Sequence, residues 1–256
     1  MKNILKGQLR MLPKYKMSHF VFVVIALLQA AAAVLNIAAE PKILTSAGIM
    51  SAIPNIIYIL VSFIYFFTLI SQICLSDFSD KTSYYEILGG HTRFEVYFGR
   101  VIPSLILGTL GTFVLMIIPD ITATILLGWG NEIPVGEIII RRLLLIFPIF
   151  RLGCEFVCIA FIVKKLAAAI IMGIIIVLVG VETAATNSSP WLGVTSVVKL
   201  YEVDVWATYG LDANINFSYE ASLQAETVVP VIIFSVVAAV ISLVMGYQFF
   251  RADDMN

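Results

Sequence analysis

Charged side chains are scarce in this chain. Asp, Glu, Lys and Arg make up 13% of its 256 residues, whereas globular domains carry roughly 25%. Apolar residues make up 60% of the sequence, and its mean hydropathy is +0.99. A soluble protein of this length could not cover its surface with so few charges, so the composition predicts a protein embedded in the lipid bilayer. The net charge of −1 provides no basic field, which argues against nucleic acid as a partner.

Residues that carry catalytic or metal chemistry are also few. Cys74, Cys154 and Cys158 lie in apolar runs without a CxxC pair, which predicts packing rather than disulfide or redox chemistry. His19 and His91 are far apart in the sequence, and neither has metal-ligand spacing around it. There is no zincin, nucleophile-elbow or Walker A pattern. We therefore expect no enzyme activity, metal or cofactor in this chain, and ATP hydrolysis would need another polypeptide.

Six apolar segments are long enough to cross a bilayer, which takes about 20 residues. They predict an all-α integral membrane protein with one six-helix domain over residues 19–256. Lys164 and Lys165 are expected to form a tight turn between the fourth and fifth spans, and Pro148 to kink the fourth. The six segments are residues 19–39, 53–75, 98–118, 143–163, 166–185 and 228–250.

Basic residues flank the spans unequally, which predicts the orientation. Eleven lie on the side of the two termini and four on the other side, so both termini are expected in the cytoplasm of a multi-pass plasma-membrane protein. Residues 1–18 predict an amphipathic helix lying on the inner leaflet, and a signal peptide is the alternative. The eleven are Lys2, Lys6, Arg10, Lys14, Lys16, Lys81, Arg93, Arg100, Lys164, Lys165 and Arg251; the four are Lys42, Arg141, Arg142 and Lys199.

The loop between the second and third spans carries two helix-start patterns. Ser83 and Glu86 form one capping box, and Thr92 and Glu95 form another. A glycine pair separates them, so a short helix is expected over about 82–90, with a new helix after it. This helix would expose Tyr84, Tyr85, Ile87 and Leu88. Such a surface suits a soluble partner, and the alternative is an interfacial aromatic belt.

Charges within the apolar segments need a protein or water environment. Arg151 lies in the middle of the fourth span, where insertion of an arginine costs about 2.5–3.5 kcal/mol. Glu155 is its simplest partner, although Arg before Glu is the less favourable order, which leaves a partner on another helix open. The pair could fix packing or line a transport path. Arg141 and Arg142 are expected to snorkel to the interface.

The loop over residues 186–227 is long, aromatic and apolar. A solvated linker would not have this composition. We expect short helices that dip into the outer leaflet, and the alternative is a surface loop anchored in the aromatic belt.

The second loop resembles a pattern found in permease subunits of type-2 ATP-binding-cassette exporters. The resemblance is carried by Asp80-Lys81-Thr82, Glu86-Ile87-Leu88, Arg93 and Phe98-Gly99-Arg100. It implies that the 82–90 helix is a coupling helix seated on a separate ATPase subunit, which binds ATP and magnesium. It also implies that residues 1–16 pack beside that ATPase, and that a second permease subunit completes a twelve-helix dimer. The implied coupling residues are Thr82, Tyr84, Tyr85, Glu86, Ile87, Leu88, Gly89, Gly90 and Arg93.

The expected function is therefore export of an amphipathic or hydrophobic cargo from a bacterial cell. A peptide antibiotic, a toxin, a drug or a lipid-like molecule would suit apolar walls. Two other classes stay open. One is a secondary transporter or channel that needs no ATPase, and the other is a membrane immunity or sensor protein that transports nothing.

Overall fold

Helices account for most of what the structure describes. The structure is a computed structural model, and it describes residues 7, 15–39, 55–79, 87–129, 134–186, 193–201, 205–209, 215–219 and 225–252. The amphipathic helix predicted over 1–18 and the first part of the predicted coupling helix, 82–86, therefore fall almost entirely outside the described residues.

The described residues contain six helical stretches that are long and apolar enough to cross a membrane. This confirms the predicted six-span, mainly helical character. The helices are α1 Lys16–Ala39, α2 Asn55–Ser79, α3 Arg93–Leu127, α4 Val135–Leu144, α5 Ile146–Val163, α6 Leu166–Thr186, α7 Gly193–Tyr201 and α8 Ala225–Ala252. Five of the six stretches are the single helices α1, α2, α3, α6 and α8, and the remaining stretch consists of α4 and α5 together.

Two helical stretches are longer than the apolar runs that predict them. The third run ends at residue 118, but α3 continues through Pro119 to Leu127. Asp120 interrupts the apolar run, yet its charge is matched by Arg142 on α4, so the helix passes through this position. The fourth stretch likewise begins at Val135 rather than at residue 143.

The fourth stretch is interrupted at Leu145, between α4 and α5. Pro148 lies three residues later and supplies no N–H for the carbonyl of Leu144, which a regular helix would require. The expected effect of Pro148 is therefore located at the α4–α5 junction, and α5 itself runs without a break from Ile146 to Val163.

A two-residue turn separates α5 from α6, as predicted. Lys164 adopts the left-handed conformation with a φ of 57°, and its N–H donates to the carbonyl of Ala160 at 2.8 Å. We call the end of the bundle that holds this turn the proximal end, and the end that holds Asp120 and Arg142 the distal end.

Helix α2 forms the centre of the bundle. Of its most apolar window, 78% is buried, against 17% for α1 and for α8. Helix α8 packs along α5, α1 packs against α3 and α2, and α6 packs against α2 and α7. Apolar side chains such as Leu27 on α1 and Ile233 on α8 remain exposed, which is the arrangement expected for helices that face lipid.

The long distal loop differs from its prediction. Short helices were expected over residues 186–227. The described part contains one helix, α7, and an antiparallel hairpin of β1 Val205–Tyr209 and β2 Ile215–Tyr219. The register pairs Val205 with Tyr219 and Tyr209 with Ile215. Both strands are rich in β-branched and aromatic residues, which favour an extended backbone.

Candidate functional site

The predicted coupling loop is described from Ile87 onward. Thr82, Tyr84, Tyr85 and Glu86 lie outside the described residues. Ile87 and Leu88 form a helical turn, in which Ile87 packs against the main core and Leu88 is 64% exposed. One side chain thus holds the turn on the bundle while its neighbour presents an apolar surface outward.

The glycine pair ends this turn. Gly90 has a φ of 91°, and its N–H donates to the carbonyl of Ile87 at 3.0 Å. A side chain at Gly90 would meet no atom within 4 Å, so the requirement for glycine here is conformational rather than steric.

Replacing Gly90 with alanine is therefore expected to lower the free energy of unfolding by about 1–2 kcal/mol, the usual cost of a left-handed non-glycine residue. Gly136→Ala is the matched control, because a side chain at Gly136 would also meet no atom within 4 Å but its φ is not left-handed, and we expect no loss. Thermal unfolding of the two purified variants in one detergent measures the difference. Equal melting temperatures would contradict the assignment.

The predicted capping box begins α3. Thr92 is extended, with φ −71° and ψ 151°. Its hydroxyl accepts from the N–H of Glu95 at 3.3 Å, and the carboxylate of Glu95 accepts from the N–H of Thr92 at 3.3 Å. His91 Nδ1 lies 3.6 Å from the same carboxylate. Two of the free N–H groups at the helix start are satisfied in this way.

The start of α3 is also joined to the end of α8. The guanidinium of Arg93 donates to the carbonyl of Arg251 in the last turn of α8, where a cation is favoured. The phenol of Tyr97 donates to the carbonyl of Leu243 at 3.1 Å. A proximal aromatic cluster completes the contact between α3, α5 and α8. Its members are Phe94, Tyr97, Phe98, Phe161, Tyr247 and Phe250.

The predicted intramembrane pair is present within α5. Arg151 Nε donates to Glu155 Oε1 at 2.7 Å, and the side chains are 9% and 30% exposed. The first residue of α7 packs on this pair, because a side chain at Gly193 would lie 3.5 Å from Arg151 Nε and 2.9 Å from Leu152. The same-helix partner that the sequence suggested is therefore in contact, despite the less favourable order.

The prediction that Arg142 snorkels to the interface is wrong. Arg142 is 5% exposed. Its Nε and Nη2 donate to the two oxygens of Asp120 at 2.6 and 3.3 Å, and its Nη1 donates to the carbonyl of Tyr201 at 2.8 Å. A planar guanidinium suits such bidentate pairing. The partners lie on α3 and α7, so an arginine that sequence reasoning set aside joins three helices.

Tyr201 completes this distal cluster, which we define as Asp120, Arg142 and Tyr201. The guanidinium carbon of Arg142 lies 3.9 Å from the centroid of the Tyr201 ring, within the range of a cation–π contact. Burial, with a smaller effect from Asp120, raises the pKa of the Tyr201 phenol far above its usual range. The phenol therefore stays protonated and donates to the carbonyl of Met116 at 2.9 Å.

Arg141 was also expected to snorkel, and it is 7% exposed. Its Nη2 lies 3.0 Å from Glu137 Oε1, one turn earlier on α4. Whereas Arg142 connects separate helices, this pair lies within one helix.

A second polar group lies between α1 and α2, and sequence reasoning missed it. The Nε2 of Gln29 donates to Ser62 Oγ at 2.8 Å and to the carbonyl of Tyr58 at 3.2 Å. Asn36 donates to the phenol of Tyr58 at 3.2 Å. Gln29 and Asn36 are seven residues apart and so share a helix face. That spacing of two amides in an apolar run was the available signal.

An apolar groove of about 450 Å³ runs beside the distal cluster, between the distal part of α3 and α4. Phe113, Ile117, Ile121 and Ile139 are among its lining residues, together with Asp120 and Arg142. Because the two charged side chains are engaged with each other, the groove presents mainly hydrocarbon.

The described residues contain no group of three or more His, Cys, Asp or Glu side chains that could hold a metal ion. The comparisons with known proteins add no family assignment: no protein-family model, curated protein or solved structure matches the chain.

Proposed function

We propose that this chain is the transmembrane permease subunit of an ATP-driven ATP-binding-cassette exporter. The observation that carries the proposal is the geometry of the loop before α3. An exposed Leu88 sits on a helical turn that a positive-φ glycine ends. The next helix starts at once with a capping box and is tied to α8 through Arg93. Force applied at Leu88 would reach two spans without passing through a long flexible linker.

The partners follow from this proposal. A soluble ATPase subunit would bind ATP and magnesium and would receive Leu88 and its neighbours in a groove. A second permease subunit, identical or different, would complete twelve spans. The chain would lie in the plasma membrane of a bacterium with both termini in the cytoplasm, and the proximal end would face the ATPase.

The cargo would be amphipathic or hydrophobic. The exposed side chains of the described spans are mainly apolar, and buried polar side chains lie between the spans. Arg151 with Glu155, and Gln29 with Ser62, are the positions at which a polar part of the cargo would be held. A peptide antibiotic, a toxin, a drug or a lipid-like molecule meets this description.

Leu88→Ala is expected to reduce association with the ATPase subunit at least about tenfold, since truncating a residue that acts as a hot spot at the centre of an interface costs about 2 kcal/mol or more. Leu27→Ala is the matched control: Leu27 is 66% exposed against 64% for Leu88, but it lies within a span. The tagged chain and its variants would be purified from native membranes. Mass spectrometry would quantify the co-purified ATPase, and MgATP hydrolysis would be measured.

Several outcomes would contradict the proposal. The first is a chain that purifies alone and moves cargo in vesicles without ATP, which would favour a secondary transporter or channel. The second is a chain that binds a peptide but moves nothing, which would favour an immunity or sensor protein. The third concerns the variant Leu88→Cys. If an impermeant reagent added outside intact cells labels this cysteine, the loop lies on the exterior and cannot contact a cytoplasmic ATPase.

A further inference from the structure

Helix α7 is a short helix buried inside the bundle. Its nine residues pack against α6, α5, α4 and α2, and Val194, Thr195, Ser196 and Val197 are each at most 3% exposed. A side chain at Gly180 of α6 would lie 2.6 Å from Val194, so α6 and α7 approach each other through a glycine. The helix therefore occupies space between the spans.

The two ends of α7 meet two arginines of the α4–α5 stretch. Gly193, its first residue, lies against Arg151, and the carbonyl of Tyr201, its last residue, accepts from Arg142. Arg142 and Arg151 are nine residues apart in the sequence, and the two ends of α7, Gly193 and Tyr201, are eight residues apart, which correspond to about 13.5 and about 12 Å of helix. Helix α7 thus runs antiparallel to this stretch, with one end near each arginine.

The contacts at the two ends differ in strength. At the Tyr201 end, the guanidinium of Arg142 makes one hydrogen bond and a ring contact with Tyr201, and its two other hydrogen bonds go to Asp120 of α3. At the Gly193 end, the contact is packing against Leu152 and Arg151. Arg142 is therefore the side chain that joins α7 to both α3 and α4, and the phenol of Tyr201 adds a separate hydrogen bond to the carbonyl of Met116 on α3.

Helix α7 also buries a polar group at a cost. The hydroxyl of Thr195 is fully buried and has no hydrogen-bond partner within the described part of the chain. Such a hydroxyl loses its hydration in the buried position and regains it when water enters. In the closed arrangement, the unsatisfied hydroxyl of Thr195 therefore favours opening, and the contacts of Arg142 oppose it.

We propose that α7 is a movable helix that closes the distal half of the bundle, and that Arg142 is the latch that holds it closed. Breaking the contacts of Arg142 with Asp120 and Tyr201 lets α7 move and admits water between α4, α5 and α6. The movement of α7 does not depend on the proposed function. Only its purpose rests on that function, because a transport route must be able to close. Arg142 is a positioning residue in this scheme, and it contacts no cargo.

The test measures water access to α7 and requires neither ATPase nor cargo. Ser196→Cys places a thiol at a position that is 0% exposed. The native thiols of Cys74, Cys154 and Cys158 are buried and report on the rest of the bundle. Each variant in lipid nanodiscs is treated with a membrane-impermeant maleimide, and mass spectrometry of its peptides gives the labelling rate at each thiol.

In the Arg142→Gln background, the introduced thiol should label at least about tenfold faster, because losing charge-assisted hydrogen bonds shifts a local opening equilibrium by that order. The native thiols should keep their rates. Arg141→Gln is the matched control, since Arg141 pairs with Glu137 on its own helix, and the introduced thiol should stay within about twofold of the parent rate.

Two results would overturn the latch. An introduced thiol equally protected with and without Arg142 would show that Arg142 does not hold α7. Joint labelling of all four thiols would show that Arg142 supports the whole fold rather than a movable helix. Arg142→Lys is the second variant if the glutamine form does not fold. It keeps the charge but loses the bidentate geometry, and the latch predicts that the introduced thiol labels faster than in the parent while the native thiols keep their rates.

Discussion

Replacing Asp120 with alanine is expected to lower the free energy of unfolding by about 3–5 kcal/mol, the cost of removing one partner of a buried ion pair. The guanidinium of Arg142 would remain buried, since its side chain is 6% exposed, and an arginine cannot lose its proton to become neutral. The carbonyl of Tyr201 and its ring would stay beside the charge, but no carboxylate would balance it. Unfolding by a denaturing detergent measures the loss.

Two further variants make this prediction specific. Glu137→Ala also removes the carboxylate partner of a buried arginine, but that pair joins no second helix, so the loss is expected to be smaller than for Asp120→Ala. The double variant Asp120→Ala with Arg142→Met replaces both charges by apolar groups and should recover most of the stability. A double variant less stable than Asp120→Ala alone would show that Arg142 acts through something other than this pair.

The spans were the part of the fold that sequence patterns predicted well. An apolar run of about 20 residues reports directly on the solvent around a helix, and this signal does not depend on distant partners. The turn at Lys164 and the capping box at Thr92 were equally local. Both depend on a few consecutive side chains and their own backbone, and the structure contains both.

The distal cluster could not be predicted in the same way. Arg142 sits near the end of a span, where a long basic side chain ordinarily reaches the interface. Its partner Asp120 is 22 residues earlier on another helix, in a position that looks like the end of the third span. A pair of this kind becomes visible only when two helices are placed side by side. The same dependence explains why α3 continues through Asp120 although the apolar run stops there.

The candidate site was predicted unevenly for a related reason. Glu155 was found because its partner lies one turn away on the same helix. The contact of Arg93 with the last turn of α8 spans 158 residues, and no local pattern contains it. The hairpin of residues 205–219 was expected as helix because its apolar and aromatic content suits an interfacial helix as well as a strand, and antiparallel pairing between two neighbouring strands decided the outcome.

Replacing Gly173 with leucine is expected to have the other large effect. A β-carbon placed at Gly173 would lie 2.8 Å from Phe156 and 2.8 Å from Phe67. Neither ring has room to move, because both are 2% exposed and their centroids are 4.5 Å apart. Such overpacking costs about 1–3 kcal/mol and occasionally more. We expect the upper part of that range, because α6 must separate from α2 and α5 together.

Gly136→Leu is the matched control for this substitution. Gly136 also lies in a helix, but a side chain there would meet no atom within 4 Å, and glycine within a helix is itself less favourable than leucine by about 1 kcal/mol. The control should therefore melt at or slightly above the parent temperature, while Gly173→Leu should melt far below it. If both leucine variants melted alike, the close approach of α6 to the aromatic rings would not be a source of stability, and the small residue at position 173 would need another explanation.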